Sequence, residues 1–378
     1  MKSKWTFSFL FLLPVLFVLC FWNYNNRVYD WDMPGYIGSM YTSQYPNNPE
    51  KVKELTFSSI QKEAPIDQYK DVIGENPKDV ARQYFEKSTK AFSEQLPYFQ
   101  IKAGYNLAIK FLYKIGFTAP MSVLFLSLLS YFFSGILLFF IFKIIFPNNL
   151  LIGFFITLAI LLLPPMTYMA RVSTPDMFIL QFLLIFMIGL FNHWKKWTMF
   201  FILFAITFIR PDYITFTLTY LIANFVFNFY EKKKIDFNVF LQASLLFFLY
   251  IFIMKFYNYP GWKSLFYDSF ICRRPIISEE RADFGVTDYL QILLRKIIYF
   301  KKVSLIAFGS LGLIFYLSRD KWARFYSVFI FTNIYIKFVF FPHSSGLRFF
   351  FGFILLLLIM LVYTISQRYN QAELDKNS

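Results

Sequence analysis

The stretch RVYDWDMPGYIGSMY, residues 27–41, follows directly on the first apolar run of the chain and carries two carboxylates, Asp30 and Asp32, one residue apart. A carboxylate at a membrane edge can take the proton of an incoming hydroxyl, and two that face one way can hold a divalent cation such as Mg or Mn. Met33-Pro34-Gly35 is expected to stop any helix, which leaves both acids on extended backbone, where residues two apart point to the same side. The competing reading is plain loop polarity. Other short segments carry further isolated charge: Arg171 and Asp176 in ARVSTPDMF, Arg210 and Asp212 in FIRPDYI, His343 and Arg348 in PHSSGLRFF, and Lys102 in IKAGYNLAIKFLYKIG. Ionisable side chains at membrane depth cost about 2.5–3.5 kcal/mol each to insert, so they usually pair or serve a function. Proline after Arg210 breaks the helix and turns the chain back. The pair there either faces a cavity or staples a hairpin. For Arg171 and Asp176 the alternative is a headgroup contact plus a helix cap at Thr174 or Asp176.

Composition says what kind of scaffold must hold these groups. Of 378 residues, 57% are hydrophobic and 16% charged, against about 25% charged in ordinary soluble domains. Apolar runs of about 20 residues, the length that crosses a bilayer, recur along the chain, so the class is an all-α polytopic membrane protein. The net charge of +15 fits Lys and Arg placed by orientation rules and lipid headgroups, and nucleic acid is not expected as a partner. Cys20 and Cys272 make no disulfide framework, metal set or redox motif. His193 and His343, the only histidines, make no His-rich metal site.

Five regions are expected. Residues 1–22 read as an uncleaved first span with its N-terminus inside, since the apolar core is long and no A-x-A site follows. Residues 23–119 form an outer loop. In it Asn48-Pro49 and Asn76-Pro77 announce amphipathic helices over about 49–62 and 77–95. Next comes a helix in the interface plane, with Lys102, Asn106, Lys110 and Lys114 in one stripe opposite Ile101, Tyr105, Ile109 and Leu112. The bundle 120–256 holds spans at about 120–142, 148–165, 176–191, 198–209, 213–230 and 238–256. A second outer loop, 257–302, carries Trp262, Cys272-Arg-Arg-Pro and a basic surface helix, TDYLQILLRKIIYFKK, suited to phosphates or bulk anionic lipid. Residues 303–378 add spans at 303–318, 325–341 and 349–366 and a cytoplasmic tail. Lys143, His193–Lys196, Glu231–Lys234 and Arg319–Arg324 then all face the cytoplasm, as the positive-inside rule asks, so ten spans are self-consistent. Every site charge named above falls on the outer side.

In this order and layout the residues resemble the GT-C superfamily, integral membrane glycosyltransferases that take sugars from polyprenyl-phosphate donors. Tyr29-Asp30-Trp31-Asp32 stands where the acidic motif of that superfamily opens its first outer loop. PYFQIKAGYNLAIKFLYKIG is similar to the segment that leads into its interfacial helix, with Lys102 where Arg is usual. STPD at 173–176, IRPD at 209–212 and GLRFF at 346–350 are similar to its later short motifs. The resemblance implies a GT-C-like bundle in a bacterial inner membrane, inverting sugar transfer to a glycan or lipid acceptor of the cell envelope, and an active site on the outer face. It implies Asp30 or Asp32 as base or metal ligand, with Lys102, Arg171, Asp176, Arg210, Asp212, His343 and Arg348 binding substrate. An O-antigen ligase or polymerase, or another lipid-phosphate transferase, would share this logic. A secondary transporter should show midplane carboxylates and an internal repeat, and neither is found. A non-catalytic scaffold of the same fold is the remaining alternative.

Overall fold

A computed structural model describes residues 2–76, 79–233, 235–343 and 347–377. Among these the chain is helical, with no strand. The first apolar run is α1 (Lys2–Asn25). Short helices then form a cap over the bundle: α2 (Met33–Thr42), α3 (Pro49–Glu63), α4 (Ile66–Val72), α5 (Val80–Lys87), α6 (Thr89–Gln95), α7 (Pro97–Gln100) and α8 (Ala103–Lys114). Asn48 caps α3 as expected, its side chain accepting the Lys51 N–H ahead of which Pro49 opens the helix. The single helix expected over 77–95 is two. Ser88 takes an extended conformation there, and its hydroxyl accepts the Ala91 N–H to cap α6. Pro77 of the expected cap lies outside the described residues.

The stop expected at Met33-Pro34-Gly35 is overturned, because these residues begin α2. A proline in the first turn lacks only an N–H that has no intrahelical partner there, and its fixed φ suits the helix. Gly35 provides space: a Cβ on it would lie 2.4 Å from the Phe99 ring, so α2 sits directly against α7. On α8 the buried residues are Ala103, Tyr105, Ile109 and Leu112, nearly the face expected opposite the Lys102–Lys114 stripe.

The bundle comprises α9 (Ala119–Ile145), α10 (Leu150–Leu161), α11 (Pro164–Arg171), α12 (Asp176–Phe191), α13 (Lys196–Ile209), α14 (Ile214–Lys232) and α15 (Asn238–Phe256). After α16 (Trp262–Phe270) and α17 (Val286–Tyr299) it is completed by α18 (Lys301–Leu317), α19 (Lys321–Phe340) and α20 (Arg348–Asn377). Five helices have the length and apolarity of a membrane span: α1, α9, α15, α19 and the Arg348–Tyr369 part of α20. Two bent pairs, α10–α11 at 56° and α17–α18 at 71°, raise the number to seven if each counts as one span. Pro164 and Pro165, in the first turn of α11, explain the first bend. With 16 and 14 residues, α12 and α13 rise only about 24 and 21 Å, short of a hydrocarbon core of roughly 30 Å. Five to seven of the ten expected spans therefore meet the length and apolarity of a crossing, and the chain carries the apolar helices of an integral membrane protein.

Packing sorts these helices. α9 runs against α1, α8, α10, α11 and α12, while α20 packs on α12, α18 and α19. Small side chains let α9 approach its neighbours: Ser127 Oγ donates to the Val172 carbonyl at 2.9 Å, and Ser130 Oγ accepts from Gln181 Nε2 at 2.9 Å. Conversely α1, α15 and α18 turn Phe7, Phe17, Phe248, Phe252, Leu305 and Tyr316 outward, an apolar surface suited to lipid.

Candidate active site

Helix ends and the turn after α1 converge at one end of the bundle. Asp176 opens α12, Arg210 caps the end of α13, Asp212 sits in the 3-10 turn Pro211–Tyr213, Lys337 lies in the last turn of α19 and Arg348 opens α20. Pro211 ends α13 and leaves Arg210 extended and 8% exposed. Asp30 and Asp32 arrive on a tight turn, not on the extended backbone expected. The Asp30 carbonyl accepts the Met33 N–H at 3.1 Å, the Asp32 carbonyl accepts the Gly35 N–H at 3.2 Å, and Asp32 has φ −76°, ψ −24°. Tyr29 N–H donates to Gln68 Oε1 at 2.7 Å and Val28 N–H to the Arg171 carbonyl at 2.9 Å, which pins the turn from both sides. Ser173 N–H donates to Asp30 Oδ2 at 3.2 Å. The other oxygen, Asp30 Oδ1, is sealed from solvent and has no hydrogen-bond partner among the described residues.

A chain of alternating charge runs across the site. Arg348 Nη2 meets Asp32 Oδ2 at 3.2 Å and its Nε lies 3.9 Å from Asp176 Oδ2. Arg210 pairs with Asp176 through Nη1, and its Nε and Nη2 hold the two oxygens of Asp212 at 3.1 and 3.0 Å. Lys102 Nζ stands 5.1 and 5.0 Å from the Tyr36 and Phe99 ring centres, and Lys337 Nζ donates to the Tyr213 hydroxyl at 3.2 Å. From the segment after α16, Arg273 covers the Trp31 ring at 5.3 Å and donates through Nη2 to Gln95 Oε1 at 2.8 Å.

Burial, and then the like charge of Asp32, lift the Asp30 carboxyl to a pKa of about 7, against the pull of Arg348. Burial and then Arg210 lower the Lys102 ammonium to about 8. Burial and then the charge of Asp30 push the Tyr105 hydroxyl well above its ordinary range, so it stays a neutral donor. Among the described residues that hydroxyl and Ser173 Oγ are buried without a full hydrogen-bond geometry, the Ser127 side chain lying near enough to act on Tyr105. An acid that titrates near neutrality, with a neutral hydroxyl in its field, can accept a proton from an alcohol and orient it.

The structure brings together Asp30, Asp32, Asp176, Arg210, Asp212, Arg348 and, at the edge, Lys102. It places Arg171 apart: its Nε donates to Asn23 Oδ1 at 2.9 Å and its guanidinium covers Trp22 at 4.0 Å, which ties α11 to α1. His343 packs on Phe341 and Phe349, ring centres 6.0 and 4.4 Å away. Burial and then Arg348 lower its pKa to about 4, so it is neutral at pH 7 and offers no cation to a phosphate. Ser344, Ser345 and Gly346 of the neighbouring motif lie outside the described residues. Sequence reading missed two members, Lys337 and the Tyr105 hydroxyl. Lys337 had a signal, being the lone charge in the apolar run 325–341. Tyr105 had none, since its position reads as the apolar face of α8.

Among the described residues no group of three or more His, Cys, Asp or Glu could hold a metal ion. Asp32 is paired with Arg348 and Asp30 has one oxygen on Ser173, so a divalent cation does not fit these donors unless Arg348 leaves. No family model, curated protein or solved structure matches this chain.

Proposed function

We propose that this protein is a membrane glycosyltransferase that moves a sugar from a polyprenyl-phosphate donor to an acceptor hydroxyl. One observation carries the reading: the enclosed, unpartnered Oδ1 of Asp30, with a pKa near 7, lies beside the Arg348–Asp176–Arg210 chain. In the step, the acceptor oxygen forms a bond to the anomeric carbon while its proton passes to Asp30 Oδ1. The bond from that carbon to the donor phosphate breaks on the opposite face, which inverts the centre, and the electron pair leaves on phosphate oxygen. Arg348, with Lys102 and Lys337 behind it, stabilises that growing charge. Arg348 is available for this because its contact to Asp32 is single and its approach to Asp176 is long. Charge compensation is thus assigned to Arg348, which stands where a cation on Asp32 would sit.

The reading places the N-terminus and the basic loops at Lys143, His193–Lys196, Lys233 and Arg319–Arg324 in the cytoplasm of a bacterial cell. Ten crossings include the short α12 and α13, while α8 and α17 lie in the interface plane. Exposed Leu290, Leu294 and Ile298 on α17, with the 71° turn into α18, support that placement. Loops 23–119 and 257–302 then face outward with the site.

In lipid vesicles supplied with a polyprenyl-phosphate sugar, Asp30→Asn should lower transfer by about 10²–10⁴-fold with the protein still inserted. Parental transfer rates in both Asp30→Asn and Asp32→Asn would replace this reading with a non-catalytic scaffold. A cysteine at Ser59 should label from outside and one at Lys233 should not. The reverse pattern overturns the orientation.

A further inference from the structure

The helices that carry the acidic and arginine chain at one end enclose a separate cavity at the other. The C-terminal part of α12, the start of α13, the far half of α14 and the starts of α15 and α19 wall a space of about 680 Å³. Asn224 of α14 lies about 18 Å along the chain axis from Asp212, so the two sites do not share residues. The cavity has an apolar floor of Met199, Phe200, Leu203 and Leu221, and three amides, Asn224, Asn228 and Gln242, stand beside it.

These amides use only part of their hydrogen-bonding capacity on each other. Asn228 Nδ2 donates to the Asn224 carbonyl at 2.8 Å and to Asn224 Oδ1 at 2.9 Å. The Tyr326 hydroxyl meets Asn224 Oδ1 at 3.4 Å, and Gln242 Nε2 donates to the Lys196 carbonyl at 3.4 Å. Asn224 Nδ2, Asn228 Oδ1 and Gln242 Oε1 make no hydrogen bond to a described residue. These donor and acceptor atoms stand open to the cavity beside its apolar floor, and a hydroxyl, which both donates and accepts, answers both kinds. At the mouth, Lys196 is neutralised by Asp236, whereas Lys195 makes no ion pair among the described residues. Asp320 is occupied in capping α19 through the Trp322 N–H. Glu231 also lines the mouth, and its charge disfavours a multiply charged ligand. Next to the cavity, exposed Phe201 of α13 and Phe240 of α15 continue the apolar surface outward.

We propose that this cavity binds the glycerol phosphate headgroup of a monoanionic phospholipid, of the phosphatidylglycerol type. Its hydroxyls meet the three amides, its single phosphate charge meets Lys195, and its chains leave over the apolar floor. The inference does not rest on the transferase reading, and its test needs no sugar transfer. Native mass spectrometry of the full-length protein, released from nanodiscs of equal phosphatidylglycerol and phosphatidylcholine, should show phosphatidylglycerol retained preferentially. Gln242→Glu, nearly isosteric, replaces an amide that meets the headgroup hydroxyls with a negative charge facing an anionic lipid, and Asn228→Leu removes an acceptor. Each should cut retention roughly tenfold, the loss of about one hydrogen bond to a headgroup hydroxyl. Should Asn228→Leu fail to fold, Gln242→Glu decides alone. Equal retention of phosphatidylcholine, or parental retention in Gln242→Glu, overturns the site. Displacement of the lipid by free glycerol 3-phosphate at concentrations matched to it would assign a soluble ligand instead and overturn the lipid claim.

Discussion

Asp268 and Asp30 are both enclosed carboxylates near arginines, yet their surroundings are completed differently. On α16, Asp268 Oδ2 accepts from the Tyr98 hydroxyl at 2.7 Å and Arg274 Nη2 at 2.9 Å, and its Oδ1 accepts from Arg274 Nε at 2.8 Å. Arg274 Nη1 donates to the Glu280 carbonyl at 2.7 Å. Both side chains are almost wholly enclosed, at 0% and 2% exposure, and the set clamps the segment after α16 onto α7. Around Asp30, by contrast, Arg348 makes a single 3.2 Å contact to Asp32 and a 3.9 Å approach to Asp176. Among the described residues Asp30 Oδ1 and the Tyr105 hydroxyl complete no hydrogen bond of full geometry. A complete buried set resists exchange, because opening it uncovers charge in a poorly screening interior. An incomplete set keeps polar atoms that a substrate can satisfy. Unmatched atoms, rather than ion pairs as such, separate the site from the clamp.

The clamp should show the largest effect. Arg274→Ala leaves Asp268 buried and uncompensated and should cost about 3–5 kcal/mol of stability, measured by denaturant unfolding in detergent micelles. A variant as stable as the parent would erase the distinction between the two regions. Arg348→Ala should do the opposite. It should cost less stability than Arg274→Ala, since its contacts to Asp32 and Asp176 are single and long, while affinity for a polyprenyl-phosphate sugar weakens by about 1.5–3 kcal/mol, the worth of a charged hydrogen bond. An unchanged donor affinity would remove Arg348 from the site.

The smallest effect is in pH. A base with a pKa of about 7 gives kcat/KM a limb that rises through neutrality. Asp32→Asn removes the like charge and should move that limb to lower pH, whereas Arg348→Ala should move it higher. The stability sign follows from the same shift. The folded pKa of Asp30 lies above the ordinary carboxyl value of about 3.9, so ionisation favours the unfolded state, and stability from this group falls as pH rises from about 4 to about 7. Asp30→Asn escapes that loss, so its melting temperature should gain on the parent across this window. A constant difference would show that Asp30 titrates normally.

Much of the scaffold was legible before folding. The bounds expected at 176–191 and 238–256 coincide with α12 and α15, of which α15 has the length of a span, and Asn48-Pro49 opens α3 as expected. Apolar run length, caps and prolines act over one or two turns of local chain, so they are readable from a single sequence. Even the gathering of charge at helix ends was local, since Pro211 ends α13 and leaves Arg210 at its terminus.

Which charges meet was decided only by tertiary structure. Arg348 reaches Asp32 across 316 residues of chain, Lys337 joins from α19, and Arg171, equally suggestive in sequence, binds Asn23 instead. The turn at Asp30 was likewise hidden. In sequence Met33-Pro34-Gly35 is expected to stop a helix, yet a proline in the first turn suits a helix start, and the Phe99 ring packs directly against Gly35 there. Local rules set where a helix begins and which residues stand at its ends. The packing of helices far apart in sequence sets which of those ends share one low-dielectric space, and so which charges must compensate one another.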